Sequence, residues 1–257
     1  MVETKSIEDK KLWEAIFHRK SIRKYKSTPL DDETLSRVRN FLEELIPLKE
    51  DIKTRFMLIG PDDIKSLIPL KKAPHYIAAF SEKKAGYRVN IGFMLEQMDL
   101  FLSSQNIGSC WVGMAQPKKD ILRETTLEDV ILLSLGEADE TVHRQEIGEF
   151  KRKKLEEISD MNEDNGFLEP ARLAPSATNN QPWYFTGNEN QIEVYCTRPN
   201  FIKARVLKKW NPIDMGIALY HLWLHFKVKG KNVEIITDNI KKDEKKGYAH
   251  IATVIIN

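Results

Sequence analysis

The 257-residue chain has little cysteine: Cys110 and Cys196 are the only two, and they lie far apart in the sequence. Two isolated cysteines argue against a disulfide framework or a cysteine zinc site, and they favour a reducing, cytoplasmic location. The chain also lacks any stretch of about 18 apolar residues, so we expect no membrane-spanning segment. Its start, MVETKSIEDKKLW, has no apolar run, so we expect no secretory signal.

Neither sign of charge dominates, because 40 basic and 38 acidic side chains leave a net charge of +2. This balance gives no reason to expect nucleic acid or a membrane surface as a partner. We interpret the basic tracts at 151–154 and 241–246 as solvated faces or loop ends. The sequence shows no catalytic triad, paired-carboxylate motif or metal cluster. His221 and His225 lie one helical turn apart, but no third metal ligand accompanies them.

Hydrophobic periodicity predicts helices and strands that interleave along the whole chain, which favours an α+β or α/β class. Pro175 ends a short helix that runs up to Ala174. We expect a hairpin turn at Gly187-Asn188. The predicted longer helices are 7–18, 30–45, 89–106 and 213–229, and the predicted strands are 54–59, 75–80, 130–135, 183–185, 191–196, 233–237 and 250–256.

The two long apolar helices resemble each other. Each opens near a glycine, Gly92 and Gly216, and each reaches a break fourteen residues later, at Asn106 and Gly230. Any two buried helices share some similarity, yet the matching exits make an internal duplication plausible. Helices that are apolar nearly all round are expected to be deeply buried, as at a two-fold or pseudo-two-fold core.

Three segments have a composition suited to ligand binding. HRKSIRKY (18–25) surrounds one hydroxyl with cations, as a phosphate site requires, although basic helix ends are common. GSCWVGM (108–114) has glycines that let a backbone approach a flat ligand, although a tight turn with a core tryptophan fits equally well. RLAPSATNNQPWYF (172–185) places many short polar groups beside aromatic rings, which an ordinary polar loop does not explain.

Together, Arg19-Lys20-Ser21-Ile22-Arg23, NIGSCWVG and APSATNNQPWYF resemble the nitroreductase family of flavin mononucleotide (FMN) enzymes. APHYIAAF, VILLSLGEADE and FKRKKLEEI also resemble segments of that family, so the resemblance covers most of the chain. The order differs, because the proline–glutamine–tryptophan segment comes last and the region 45–56 has nothing like it. The chain therefore resembles two degenerate family units, 1–158 and 159–257, fused as in the smaller group of TM nitroreductases.

The resemblance implies an α+β nitroreductase-like fold: an antiparallel or mixed central sheet flanked by helices, in two pseudo-symmetric halves that form an internal dimer. It implies a monomer or a weak homo-oligomer with one FMN per chain, NAD(P)H as co-substrate and a small-molecule electron acceptor such as a nitroaromatic or a quinone. The flavin would supply the chemistry, without catalytic side chains or metal. The alternative is a flavin-binding module with little or no turnover. The implied FMN-binding residues are Arg19, Lys20, Ser21 and Arg23 with Arg152 at the phosphate, Trp111, Val112 and Gly113 at the ring, and Pro175, Ser176, Thr178 and Asn179 from the other half.

Overall fold

The chain folds into helices and antiparallel sheets. A computed structural model describes residues 2–66, 73–161, 166–198, 201–238 and 247–257. It describes the side chains of all these residues except 2–6 and 201–206. The helices are α1 (Val2–Ile16), α2 (Asp32–Glu43), α3 (Tyr87–Ser104), α4 (Lys119–Arg123), α5 (Leu155–Ile158), α6 (Glu169–Leu173) and α7 (Phe201–Val228). The strands are β1 (Thr54–Ile59), β2 (Ile64–Ser66), β3 (His75–Ser81), β4 (Gly108–Val112), β5 (Ala115–Pro117), β6 (Glu128–Gly136), β7 (Trp183–Asn188), β8 (Gln191–Thr197), β9 (Val233–Ile236) and β10 (Tyr248–Ile256).

Two four-stranded sheets have the same strand order. The first is β1-β3-β6-β4 and the second is β7-β8-β10-β9, and every pairing within them is antiparallel. In the chain, β1 and β3 precede the long helix α3, and β4 and β6 follow it; likewise β7 and β8 precede α7, and β9 and β10 follow it. In each sheet the strand that comes last in the chain, β6 or β10, is a central strand. The α+β prediction is therefore confirmed. The predicted domain boundary at 158/159 stays a prediction, and it coincides with the end of α5.

The long helices α3 and α7 pack against each other in the centre of the core. At their crossing the glycines face the opposite backbone: a Cβ on Gly92 would lie 2.1 Å from the Ile213 carbonyl oxygen, and one on Gly216 would lie 2.0 Å from that of Val89. Glycine is required at both positions because any side chain would collide with main chain, which cannot change rotamer. The prediction that both helices are deeply buried is confirmed.

Three details differ from the sequence prediction. GSCWV forms strand β4, whereas only a turn was expected there. The hairpin turn lies at Glu189-Asn190 and not at Gly187-Asn188, because β7 continues through Gly187 and Asn188. Gly187 has a φ of +113°, and a Cβ there would lie 2.2 Å from the Gln191 carbonyl oxygen. Helix α7 begins at Phe201 and includes Pro212, which removes one helical hydrogen bond without ending the helix.

The basic tract at 241–246 lies outside the described residues. Among the helices that the structure describes, none is long and apolar enough to cross a membrane.

Candidate functional site

The first two motifs lie side by side. Ile22 N–H donates to the Ser109 carbonyl (2.8 Å), and Ser21 forms a parallel bridge with Ser109 at the start of β4. The backbone of the basic segment is thereby an extension of the β4 edge. The sequence separates these two motifs by more than eighty residues, and the sheet brings the hydroxyl of Ser21 next to the strand that leads to Trp111 and Gly113.

Arg19 is buried beneath this junction. Its side chain is only 1% exposed, and its Nε lies 3.0 Å from Asp99 Oδ2. Its Nη2 donates to Ser21 Oγ (3.1 Å), while Ser109 Oγ donates to the same Asp99 carboxylate. Asp99 therefore fixes both the guanidinium and the second motif. Arg19 itself is held inside the protein and orients Ser21.

A second buried acidic residue of α3 pairs with a histidine of α7. Glu96 Oε1 lies 2.7 Å from His221 Nε2, and His221 Nδ1 donates to the Pro170 carbonyl (2.8 Å). Burial, and then the charge of Asp99, raise the pKa of Glu96 well above its usual value, while burial lowers the pKa of His221 to about 3. The pair is therefore neutral: the carboxylic acid of Glu96 donates its proton to Nε2 of His221.

The third motif contacts the basic stretch at 151–154. Arg152 Nη1 donates to Asn179 Oδ1 (2.6 Å) and to the Phe150 carbonyl (2.9 Å), and its Nε and Nη2 donate to the Leu173 carbonyl. In return, Asn179 Nδ2 donates to the Lys151 carbonyl (3.0 Å). This reciprocal contact holds residues 151–152 against the APSATNN loop (174–180).

The APSATNN loop has an unusual backbone. Thr178, Asn179 and Gln181 have φ values of 53°, 57° and 49°, in the left-handed region that residues other than glycine rarely adopt. Such positions cost on the order of 1–3 kcal/mol each and persist where the surroundings fix them. Asp214 of α7 helps to fix this loop, because its Oδ1 accepts a hydrogen bond from Ala177 N–H (3.0 Å). The conformation of this loop is therefore fixed by its contacts with the rest of the chain.

Trp210 of α7 lies against the end of the second motif. A Cβ on Gly113 would lie 2.9 Å from Trp210 Cζ2, so the indole packs directly on the Gly113 backbone. Asn211, the next residue, accepts a hydrogen bond from the Asn180 side chain (3.3 Å). The 210–214 segment of α7 therefore lies between the second and the third motif.

The other predicted residues have less direct contacts. Lys20 Nζ bonds to Glu140 and to the Thr141 carbonyl (3.1 Å each). Arg23 is exposed, with its Nη1 near the Ser21 carbonyl (3.4 Å). Pro175 is buried, and Val112 ends β4. Ser176 Oγ accepts from Gln181 N–H (2.9 Å) and Thr178 is exposed.

Two cavities lie away from these motifs. One of about 580 Å³ lies between α2 and β1, beside Arg39 and Phe56. The other, of about 310 Å³, lies beside Pro29 and Glu137. Neither is lined by a predicted site residue.

Sequence reasoning did not identify Glu96, Asp99, Trp210 or Asp214 as parts of this region. The sequence does contain a signal for the acidic ones, because a charged residue in an otherwise apolar, buried helix is expensive unless it is paired. Trp210 gives no comparable signal, since its contact with Gly113 joins segments that are far apart in the sequence.

The comparisons with known proteins identify the family and the fold of the chain. A family model described as "Putative TM nitroreductase" matches residues 11–226. No curated protein matches the chain. A nitroreductase from Thermotoga maritima MSB8, described as putative, is 22% identical with a TM-score of 0.65, over 96% of this chain and 94% of that one. This similarity shows the fold.

Shorter nitroreductases match about half of the chain. A nitroreductase family protein from Clostridium difficile 630 is 19% identical, with a TM-score of 0.46, over 60% of this chain and 98% of that one. A nitroreductase with bound FMN from Desulfitobacterium hafniense DCB-2 is 13% identical, with a TM-score of 0.44, over 56% and 97%. Because the family model spans residues 11–226 of 257, the chain belongs to the TM nitroreductase family.

Proposed function

We propose that this protein binds one FMN per chain and acts as an oxidoreductase that passes hydride from NAD(P)H to a small acceptor. The observation that carries this proposal is a group of arginines at the place where the three motifs meet. Arg23 and Arg152 form no salt bridge with any described residue, and Arg19 is balanced by Asp99. Uncompensated guanidinium groups beside a serine hydroxyl are suited to a phosphate.

The electrostatics of Arg152 support an anion as the missing partner. Burial, followed by the positive charge of Arg19, lowers the pKa of Arg152 to about 9. Arginine remains protonated in proteins, so this lowering means that its cation is disfavoured in the structure as it stands. A bound phosphate would relieve that penalty. The neutral Glu96–His221 pair contributes no competing negative charge.

The residues present fit FMN in three respects. Ser21, Arg23 and Arg152 would hold the phosphate, with Arg19 orienting Ser21 from below. Trp111 and Val112 end the edge strand β4 and, like Gly113, are partly buried; these three residues would lie against the flat ring, and the APSATNN loop would close the site. When bound, the flavin supplies hydride acceptance and donation, so the side chains need only bind it, orient it and limit water access.

We infer that the chain is an internal pseudo-dimer of two related halves. The two sheets share one strand order, and Gly92 and Gly216 contact the opposite helix reciprocally. Asn90 lies as far from Asp214 in the sequence as Gly92 lies from Gly216. Each of these two side chains accepts a hydrogen bond from the backbone of a loop: Asn90 Oδ1 from Leu48 N–H (2.8 Å), and Asp214 Oδ1 from Ala177 N–H (3.0 Å). A monomer would then contain everything that the site needs.

Flavin stoichiometry on the purified protein tests the proposal. We expect a yellow protein with one FMN per chain that is bleached by dithionite and by NAD(P)H. Two FMN per chain would contradict the single composite site, and a folded protein that takes up no FMN would refute the function. Arg23→Ala removes an exposed cation and should weaken FMN binding about tenfold or more. Arg39→Ala, which removes an exposed cation at the distant cavity, is the matched control and should leave it unchanged.

A second candidate is a flavin-binding module without turnover. Its supporting observation is Trp210, which packs on the Gly113 backbone and would restrict access of NAD(P)H or an acceptor to a ring bound there. Such a module would be yellow and would bleach with dithionite, but NAD(P)H would not reduce it with any quinone or nitroaromatic acceptor. Trp210→Ala, by opening this space, would then allow reduction by NAD(P)H.

A further inference from the structure

The segment 140–144 is attached to the basic motif by its backbone. Arg144 N–H donates to the His18 carbonyl (2.8 Å), and His143 forms an antiparallel bridge with Arg19. Glu140 Oε1 accepts hydrogen bonds from the backbone N–H groups of Arg23 (3.1 Å) and Lys24 (3.3 Å). These contacts fix where the side chain of Arg144 begins, directly beside the segment that carries Ser21.

The Arg144 side chain then extends toward Arg19 and Arg152. Its Nη1 donates to the Arg19 carbonyl. Its guanidinium carbon lies 4.2 Å from the centre of the Phe150 ring, and that of Arg152 lies 5.6 Å from the same centre. Both guanidinium groups therefore lie near the Phe150 ring, and their Cζ atoms are at most about 9.8 Å apart. The ring orients both cations while leaving donor N–H groups available.

Arg144 has no carboxylate partner at salt-bridge distance among the described residues. The nearest acidic influence is Glu149, which is exposed and whose Oε1 accepts hydrogen bonds from the N–H groups of Gln145 and Glu146. Burial, and then the charge of Arg19, lower the pKa of Arg144 to about 10. Its cation is therefore disfavoured in the same way as that of Arg152, although no sequence motif marks it.

We propose that Arg144 is a further phosphate-binding residue of this site, which with Arg23 and Arg152 surrounds a phosphomonoester dianion. This inference rests on the proposed FMN function and adds a residue to it. Three guanidinium groups that lack carboxylates match the charge of a terminal phosphate better than that of a neutral flavin. Arg144 should therefore discriminate FMN from riboflavin, which has the same ring and ribityl chain without the phosphate.

The test is Arg144→Met, titrated with FMN and with riboflavin by flavin fluorescence quenching. We expect the FMN dissociation constant to rise about tenfold or more, since a charge-assisted contact is lost. Riboflavin binding should not change. Arg144→Lys, which retains the charge, should recover part of the FMN affinity. Arg123→Met is the control, because Arg123 is exposed and its salt bridge within the described residues is to Asp120 on α4.

The outcomes separate this inference from the function itself. If Arg144→Met binds FMN as tightly as the unmodified protein, Arg144 is no phosphate ligand. If FMN and riboflavin weaken by the same factor, or if Arg144→Lys is as impaired as Arg144→Met in a folded protein, Arg144 only braces the loop and the inference is wrong. If the unmodified protein binds neither flavin, the proposed function fails first.

Discussion

Adding one methyl group at the crossing of α3 and α7 should destabilise the protein measurably. In Gly92→Ala the new Cβ would lie 2.1 Å from the Ile213 carbonyl oxygen, so the two helices must separate by about 1 Å to restore van der Waals contact. Overpacking of this kind typically costs about 1–3 kcal/mol, and we expect the upper end, about 3 kcal/mol, because no rotamer change can relieve a contact with main chain. Alanine returns about 1 kcal/mol of helix propensity. The net loss should be about 2 kcal/mol.

For a chain of this size that loss corresponds to a decrease in Tm of about 4–8 °C, measurable by circular dichroism or calorimetry. Gly216→Ala should behave alike, since its Cβ would lie 2.0 Å from the Val89 carbonyl oxygen. The double variant should lose less than the sum, because one separation of the helices accommodates both methyl groups. Gly148→Ala is the control, as nothing lies within 4 Å of its notional Cβ. Additive losses, or a Gly92→Ala variant as stable as Gly148→Ala, would refute the reasoning.

Three further perturbations test the electrostatics. Glu96→Gln should cost less than about 1 kcal/mol by thermal unfolding, because an amide can replace the acid as donor to His221, whereas an ion pair broken in this way would cost about 3–5 kcal/mol. Burial raises the pKa of Asp129 to about 6, so the folded state binds this proton more tightly than the unfolded chain and loses stability as pH rises from about 4 to 6. Asp129→Asn should therefore match the unmodified protein at pH 4 and be more stable by about 1–2 kcal/mol at pH 8, and a Tm difference independent of pH would contradict this. Arg152→Met leaves the Leu173 carbonyl without its donor and should lower both Tm and FMN affinity, whereas Arg23→Ala should lower FMN affinity alone.

The helices and strands could be predicted from local hydrophobic periodicity, because burying one face of an element imposes that periodicity on its sequence. The apolar run 54–59 became β1 without a change of bounds, and the acidic start of α2 is capped by Asp31, whose side chain accepts from Thr34 N–H (2.7 Å). GSCWV was missed as a strand because small residues and glycine favour a turn locally. Its pairing with β6 in the sheet overrides that preference.

The site was predictable only in part. The resemblance pointed to Arg152 and Asn179, but their 2.6 Å contact depends on the tertiary packing of two segments that lie 27 positions apart in the sequence. Arg144 belongs to no motif and reaches Arg19 through a backbone bridge between distant segments. The positive φ of Thr178 was also unpredictable, because a β-branched residue disfavours it and only the surrounding contacts impose it.

The polar side chains by which α3 and α7 bind neighbouring backbone differ in chemistry between the two helices. In an assembly of two identical chains one codon supplies both copies of a position, so the copies cannot differ. In the internal pseudo-dimer that we propose, Asn90 and Gln97 of α3 hydrogen-bond to the backbone of Leu48 and Ile46, while Asp214 and His221 of α7 hydrogen-bond to the backbone of Ala177 and Pro170. Of these four contacts, the two from α3 are therefore made by amides, and the two from α7 by a carboxyl group and an imidazole. Burial raises the pKa of Asp214 well above its usual value, so a proton can act directly on the Ala177 contact of the APSATNN loop, whereas the Asn90 amide contact has no proton to exchange.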